Sequence, residues 1–171
     1  AGPTWKQLPQ PLHQSEQAMV IVLDLSPSMM AEDNKPSRIV RARLKIQDLL
    51  TQRQDGQNAL IVYAGEAHVV TPLTDDKQTI INLLPTLTPG LLPIPGSNTE
   101  MAIRLSKQLI NDAGLSEATI VLVTDGVDKA AIKTISKTLN KAITLYIIGV
   151  GTDQGAPIPI TTNHEEGDFL R

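Results

Sequence analysis

Ala18-Met19-Val20-Ile21-Val22-Leu23-Asp24-Leu25-Ser26-Pro27-Ser28 is the stretch that decides the fold. Its first six residues form a continuous apolar run rich in Val and Ile, the pattern of a strand buried on both faces of a parallel sheet. Three more runs read the same way, at residues 59–64, 119–123 and 143–148. Between them the period becomes helical. Ile39, Ala42, Ile46, Leu49 and Leu50 make one stripe, Ala102, Leu105 and Leu109 a second, and Ile132, Ile135 and Leu139 a third. A shorter helix is expected over residues 75–84, ended before Pro85. The form Ser97-x-x-Glu100 is that of a capping box, which starts the second of these helices near Asn98.

Strands alternating with helices define βαβ units. The fold expected is α/β: a doubly wound, mostly parallel sheet with helices on both faces. One antiparallel edge strand is expected, because residues 67–73 follow the second strand too closely for a crossover helix and must return as a hairpin. Three segments follow: an extended, proline-broken lead-in (1–17), the sheet-and-helix domain (18–151) and an irregular tail (152–171). The chain begins with Ala1 rather than Met, so it is read as a processed or excised piece.

Composition narrows the function. Of the 171 residues, 41% are hydrophobic but only 2% aromatic, so the core is aliphatic and base-stacking surfaces have little to work with. A net charge of −3 argues against a phosphate-tracking surface, so no nucleic-acid partner is expected. With no cysteine, disulfide frameworks and thiolate metal sites are excluded. No apolar run approaches the length of a membrane helix. His13, His68 and His164 fall in the lead-in, the hairpin edge and the tail, none obviously placed beside Asp24, so no catalytic base is apparent. The glycines at 149, 151 and 155 do not make a dinucleotide loop, because Pro157 and Pro159 forbid the helix such a loop needs.

In open α/β sheets, ligands sit beyond the carboxyl ends of the strands. There the first strand ends in Asp24, Ser26 and Ser28, and a period of two in an extended segment sends all three side chains the same way. The run at 119–123 ends at the same edge in Thr124-Asp125-Gly126. A proline loop over residues 84–96 leads to Ser97 and Thr99 at the start of a helix, again at that edge. Each part has a plainer explanation: serines satisfying a turn, an N-cap, an ordinary Asp-Gly turn. Their agreement from three segments favours a hard oxygen site for Mg²⁺ or Mn²⁺.

Asp24-x-Ser26-x-Ser28, the hydroxyl near residue 97 and Asp125-Gly126 resemble the metal-ion-dependent adhesion site of von Willebrand factor type A domains, over about residues 17–151. The resemblance implies that Asp24, Ser26 and Ser28 hold the cation, with Asp125 acting directly or through water. Aligning Ala102-Ile103 with the family's small-aliphatic pair places Ser97 at the family's threonine position, with Thr99 as the alternative. Trp5-x-x-Leu8-Pro9-Gln10-Pro11, Lys35-Pro36-Ser37-Arg38 and the stretch from Gly149 through Pro159 resemble the bacterial Bat-type subgroup. That resemblance implies attachment to the bacterial inner membrane through segments outside this chain, with the domain facing the periplasm. The function it implies is non-catalytic: a protein partner's acidic residue completes the metal shell. The alternatives are a Mg²⁺-dependent phosphoryl-transfer enzyme, which would want a second Asp where Ser26 stands, and a metal-free interaction domain.

Overall fold

The computed structural model describes residues 17–33, 35–127, 129–139, 142–151 and 157–160. The lead-in other than Gln17, and most of the tail, lie outside the described residues, as do His13 and His164. Six strands form one sheet: β1 (Ala18–Asp24), β2 (Asn58–Tyr63), β3 (Ala67–Thr74), β4 (Ala118–Thr124), β5 (Ile143–Gly149) and β6 (Pro157–Ile160), in the order β3-β2-β1-β4-β5-β6. The four helices are α1 (Arg38–Gln52), α2 (Lys77–Leu83), α3 (Thr99–Asp112) and α4 (Lys129–Thr138).

The four apolar runs are the four central strands, and β1, β2, β4 and β5 pair in parallel. Every residue of β1 is buried, because both faces of the sheet are covered. Met19, Ile21 and Leu23 face the layer of α1 and α2; Ala18, Val20 and Val22 face that of α3 and α4. The alternation decides the side on which Asp24 emerges. By parity it belongs with Val20 and Val22, on the α3 side.

The hairpin strand β3 pairs antiparallel with β2 at one edge, with register shifts between Asn58 and Ile61. Pro72 is tolerated there because an edge strand has a side that pairs with nothing. The other edge corrects the expectation of an irregular tail. Residues Pro157–Ile160 form β6, antiparallel to β5, with Ile147 opposite Ile158 and Tyr146 opposite Pro159. Two prolines two residues apart place both missing N–H groups on one side of the strand, so the other side can still pair.

The short helix ends as expected. α2 stops at Leu83 and the chain tightens into a 3₁₀ turn, Leu84–Thr86, around Pro85. At α3 the cap is shifted by one residue from the expected box. Asn98, not Ser97, is the N-cap, and its side chain accepts from the Met101 N–H at 3.1 Å. The buried face of α3 is also rotated from the expected stripe. It runs through Thr99, Ala102, Ile103, Ser106 and Ile110, with Leu105 and Leu109 at its flank.

Candidate metal centre

β1 and β4 lie side by side at the centre of the sheet, and the connections leave them in opposite directions along the strand order. Their carboxyl ends therefore form the crevice of a topological switch point. Asp24 sits at its floor with no solvent exposure. Its Oδ1 accepts from the Ser26 N–H at 2.8 Å, closing a tight turn at the strand end. Its Oδ2 accepts from Thr124 Oγ1 at 2.6 Å, across from β4. Thr124 in turn accepts from the Gly126 N–H at 3.1 Å, which fixes the Asp125-Gly126 turn.

Beyond Ser26 the chain does not continue extended as strand alternation would require. Pro27, with φ locked near the helical value, starts a 3₁₀ turn, Pro27–Met30, that drives Met29 fully into the core. The serine hydroxyls meet by way of this turn: Ser26 Oγ and Ser28 Oγ are 3.3 Å apart. Ser28 Oγ then donates to Asp125 Oδ2 at 2.5 Å. Four of the expected residues thus form one hydrogen-bonded chain: Asp24 to the Ser26 N–H, then the hydroxyls of Ser26 and Ser28, then Asp125.

The third segment divides the two candidates on the proline loop. Thr99 is buried and donates to the hydroxyl of Tyr63 at 3.3 Å. Tyr63 is the last residue of β2 and lies directly beside Asp24 in the β1–β2 register. Ser97 is exposed and, among the described residues, makes no hydrogen bond to the cluster. The loop itself is pinned at the same edge. The Gly65 N–H donates to the Ile94 carbonyl at 2.8 Å and the Asn98 N–H to the Ala64 carbonyl at 2.7 Å.

Burial pushes the Asp24 carboxyl above the usual carboxylate range; its hydrogen bonds with Ser26 and Thr124 oppose this, and the negative charge of Asp125 adds to it. Tyr63 is raised well beyond an ordinary phenol, first by burial and then by the charge of Asp24. A buried carboxylate flanked by a second carboxylate calls for positive charge. One source is already present. Arg38, the first residue of α1, donates from Nη1 to Asp125 Oδ2 at 2.8 Å. The same guanidinium grips Asp33 through Nε at 3.0 Å and Nη2 at 2.9 Å. The turn after β5 covers this pair. A Cβ at Gly151 would lie 3.1 Å from the Asp125 carbonyl oxygen and 3.4 Å from the guanidinium carbon of Arg38.

The donor set fits a small hard cation. Magnesium–oxygen distances near 2.1 Å place neighbouring ligands of an octahedron about 3 Å apart. The 3.3 Å and 2.5 Å separations along Ser26, Ser28 and Asp125 bracket that value. Both oxygens of Asp24 retain lone pairs beyond the hydrogen bonds they accept. Among the described residues no three of His, Cys, Asp and Glu cluster as metal ligands, so a cation here would rest on two carboxylates and on hydroxyls. Arg38, Asp33, Tyr63, Thr124 and Gly151 were not singled out for this site from sequence. Only Thr124 carried a local signal, as the last residue of a strand beside Asp125.

The doubly wound, mostly parallel sheet flanked by helices is the architecture of a von Willebrand factor type A domain. The family model of that name matches residues 19–127, and the chain belongs to this family. Among solved structures it is similar to an aerotolerance-related membrane protein from Bacteroides fragilis. The two are 32% identical with a TM-score of 0.68, over 91% of this chain and 76% of that one. It is also similar to the conserved hypothetical protein BatB from Bacteroides thetaiotaomicron, at 25% identity and a TM-score of 0.67, over 86% of this chain and 81% of that one. An uncharacterized protein of Borreliella burgdorferi is 28% identical over 144 residues, 80% of this chain; those residues span only 41% of that protein's length. Among the described residues no helix is long and apolar enough to cross a membrane.

Proposed function

We propose that the domain is a divalent-metal-dependent protein-interaction module of a membrane-anchored bacterial protein. The observation that carries this reading is the hydrogen-bonded run from buried Asp24, through the Ser26 N–H and the hydroxyls of Ser26 and Ser28, to Asp125. Asp24, Ser26 and Ser28 would hold Mg²⁺ or Mn²⁺, with Asp125 close to the metal through its contact with Ser28. Thr99 takes the third segment's place in preference to Ser97, because it shares the Tyr63–Asp24 neighbourhood while Ser97 faces solvent. When bound, the cation supplies a Lewis-acidic position for a carboxylate oxygen of a partner's Asp or Glu.

The chain's own residues do the remaining work. Thr124 and the Ser26 N–H fix both oxygens of Asp24, so that carboxylate needs no rearrangement to coordinate. Ser28 and Arg38 together fix Asp125. Tyr63 closes the floor of the crevice with a phenol that stays protonated. Hydroxyl ligands are neutral and add no negative charge of their own, so the cation is not over-neutralised before a carboxylate arrives. Ser26 stands where the aspartyl phosphoryl-transfer reading wants a second Asp, which favours binding over that chemistry. The similarity to a membrane protein of Bacteroides fragilis supports attachment at a bacterial membrane, with the periplasmic face as our reading.

Calorimetry with MgCl₂ tests the site directly, with pull-down of envelope proteins in the presence and absence of EDTA. Metal binding and partner capture that both vanish in Asp24→Ala are expected. Capture that persists in EDTA and in Asp24→Ala would establish the metal-free interaction domain instead.

A further inference from the structure

Arg38 is a cation already seated on a carboxylate of the crevice. Its Nη1 lies 2.8 Å from the same Asp125 oxygen that accepts from Ser28 at 2.5 Å. The pair is sheltered: the Asp125 side chain is 11% exposed and that of Arg38 23%. The guanidinium cannot swing away freely, because its other fork is held by both oxygens of Asp33. Gly151 lies against its central carbon. Arginine holds its proton at any pH the domain meets, so this positive charge is permanent.

A permanent charge beside a metal site has two opposite effects. It orients Asp125 toward Ser28, which favours the site's geometry. It also offsets negative charge on Asp125, although it shares that charge with Asp33, and so opposes a divalent cation. Hydrogen bonds of this length are already satisfied before any metal arrives, so orientation is shared among Ser28, Thr124 and the Gly126 turn. Repulsion has no such substitute. We infer that Arg38, bridging Asp33 and Asp125, is the residue that holds the affinity of this site for divalent metal down, and so keeps the loaded site electropositive enough to take a carboxylate from outside.

This inference rests on the metal-binding reading above and adds a sign to it. If Arg38 merely held the loop, removing it would weaken metal binding. If it sets the charge of the site, removing it tightens binding. The experiment is isothermal titration calorimetry with MnCl₂ and MgCl₂ on the full chain, comparing wild type with Arg38→Gln, Arg38→Met and Arg38→Lys, each checked for folding by circular dichroism. The neutral variants are expected to bind about tenfold more tightly, while Arg38→Lys, which keeps the charge, stays within about threefold of wild type. Arg38→Met retains the apolar stem and serves if Arg38→Gln does not fold. Tight binding by the neutral variants where wild type binds nothing measurable would support the inference in its strongest form. Neutral variants that bind as wild type does, or more weakly, overturn it and leave the metal site standing. No binding by any of the four proteins overturns both readings.

Discussion

Thr124 Oγ1 donates to Asp24 Oδ2 at 2.6 Å, joining the ends of the two central parallel strands through a bond that is wholly buried. This one contact orders the crevice from both sides, since the same hydroxyl accepts from the Gly126 N–H and so places Asp125. Thr124→Val keeps the shape and removes the donor. The expected loss is about 1.5–3 kcal/mol, the range for a hydrogen bond to a charged group, read as a lower urea midpoint in EDTA. Metal affinity should fall with it. An unchanged midpoint would mean that Asp24 finds another partner without strain.

Asp24 itself is held at a cost to the metal-free fold. Its folded pKa is raised above the ordinary value of 3.8, chiefly by burial. Folding therefore takes up a proton in the window between that value and the raised one, and the wild-type domain loses stability as pH climbs through it. Asp24→Asn removes the titration while keeping an acceptor for the Ser26 N–H. In EDTA at neutral pH the variant should melt at a higher temperature than wild type, with the gap closing as pH falls below the window. Added Mg²⁺ should raise the melting temperature of wild type only. A variant that melts lower at neutral pH would show that the carboxylate stabilises the fold outright.

Two hydroxyls compete for one role on the proline loop, and their surroundings separate them. Thr99 is buried against Tyr63, whereas Ser97 is exposed. Ser97→Ala should leave the Mn²⁺ dissociation constant within about twofold, as a surface change does. Thr99→Val should weaken it by about tenfold or more, with secondary structure retained by circular dichroism. The reverse order would return the family's threonine position to Ser97.

Gly65 is where the loop rests on the sheet edge. A Cβ there would lie 2.5 Å from both the Ile94 side chain and the Pro95 carbonyl oxygen. Backbone cannot yield as a side-chain tip does, so Gly65→Ala must push the loop away. The expected cost is about 1–3 kcal/mol, with faster hydrogen exchange at the N–H groups of Gly65 and Asn98, whose acceptors lie across that contact. Exchange that stays as slow as in wild type would mean that the loop is held from elsewhere.

The period of a sequence reports which side of an element faces the core, and here it was enough for most of the fold. The four buried runs and the hairpin return specified a doubly wound sheet with an antiparallel edge. Period and topology were enough to place Asp24 and Asp125 at one sheet edge, each at or next to a buried strand end, whereas Ser28 reaches that edge by a 3₁₀ turn and not by the extended alternation expected. β6 was not legible, since Pro-Ile-Pro-Ile is too short and too proline-rich to declare a strand until β5 offers an edge. The buried face of α3 is masked in the sequence because Ser106 looks polar, although it bonds the Ala102 carbonyl and sits fully buried. Continuing Ile110, Ser106 and Ile103 back by four residues would have reached Thr99.

What the sequence determined by itself is the order of elements and the chemistry at the end of β1, both local consequences of period and residue type. What only the tertiary structure decided is which groups from remote segments share the crevice. Arg38 meets Asp125 across 87 residues of chain, and Thr99 meets Tyr63 across 36. Neither pairing has a local signature, because any arginine at a helix start and any threonine in a first turn read as solvent-facing until the sheet order brings their partners beside them.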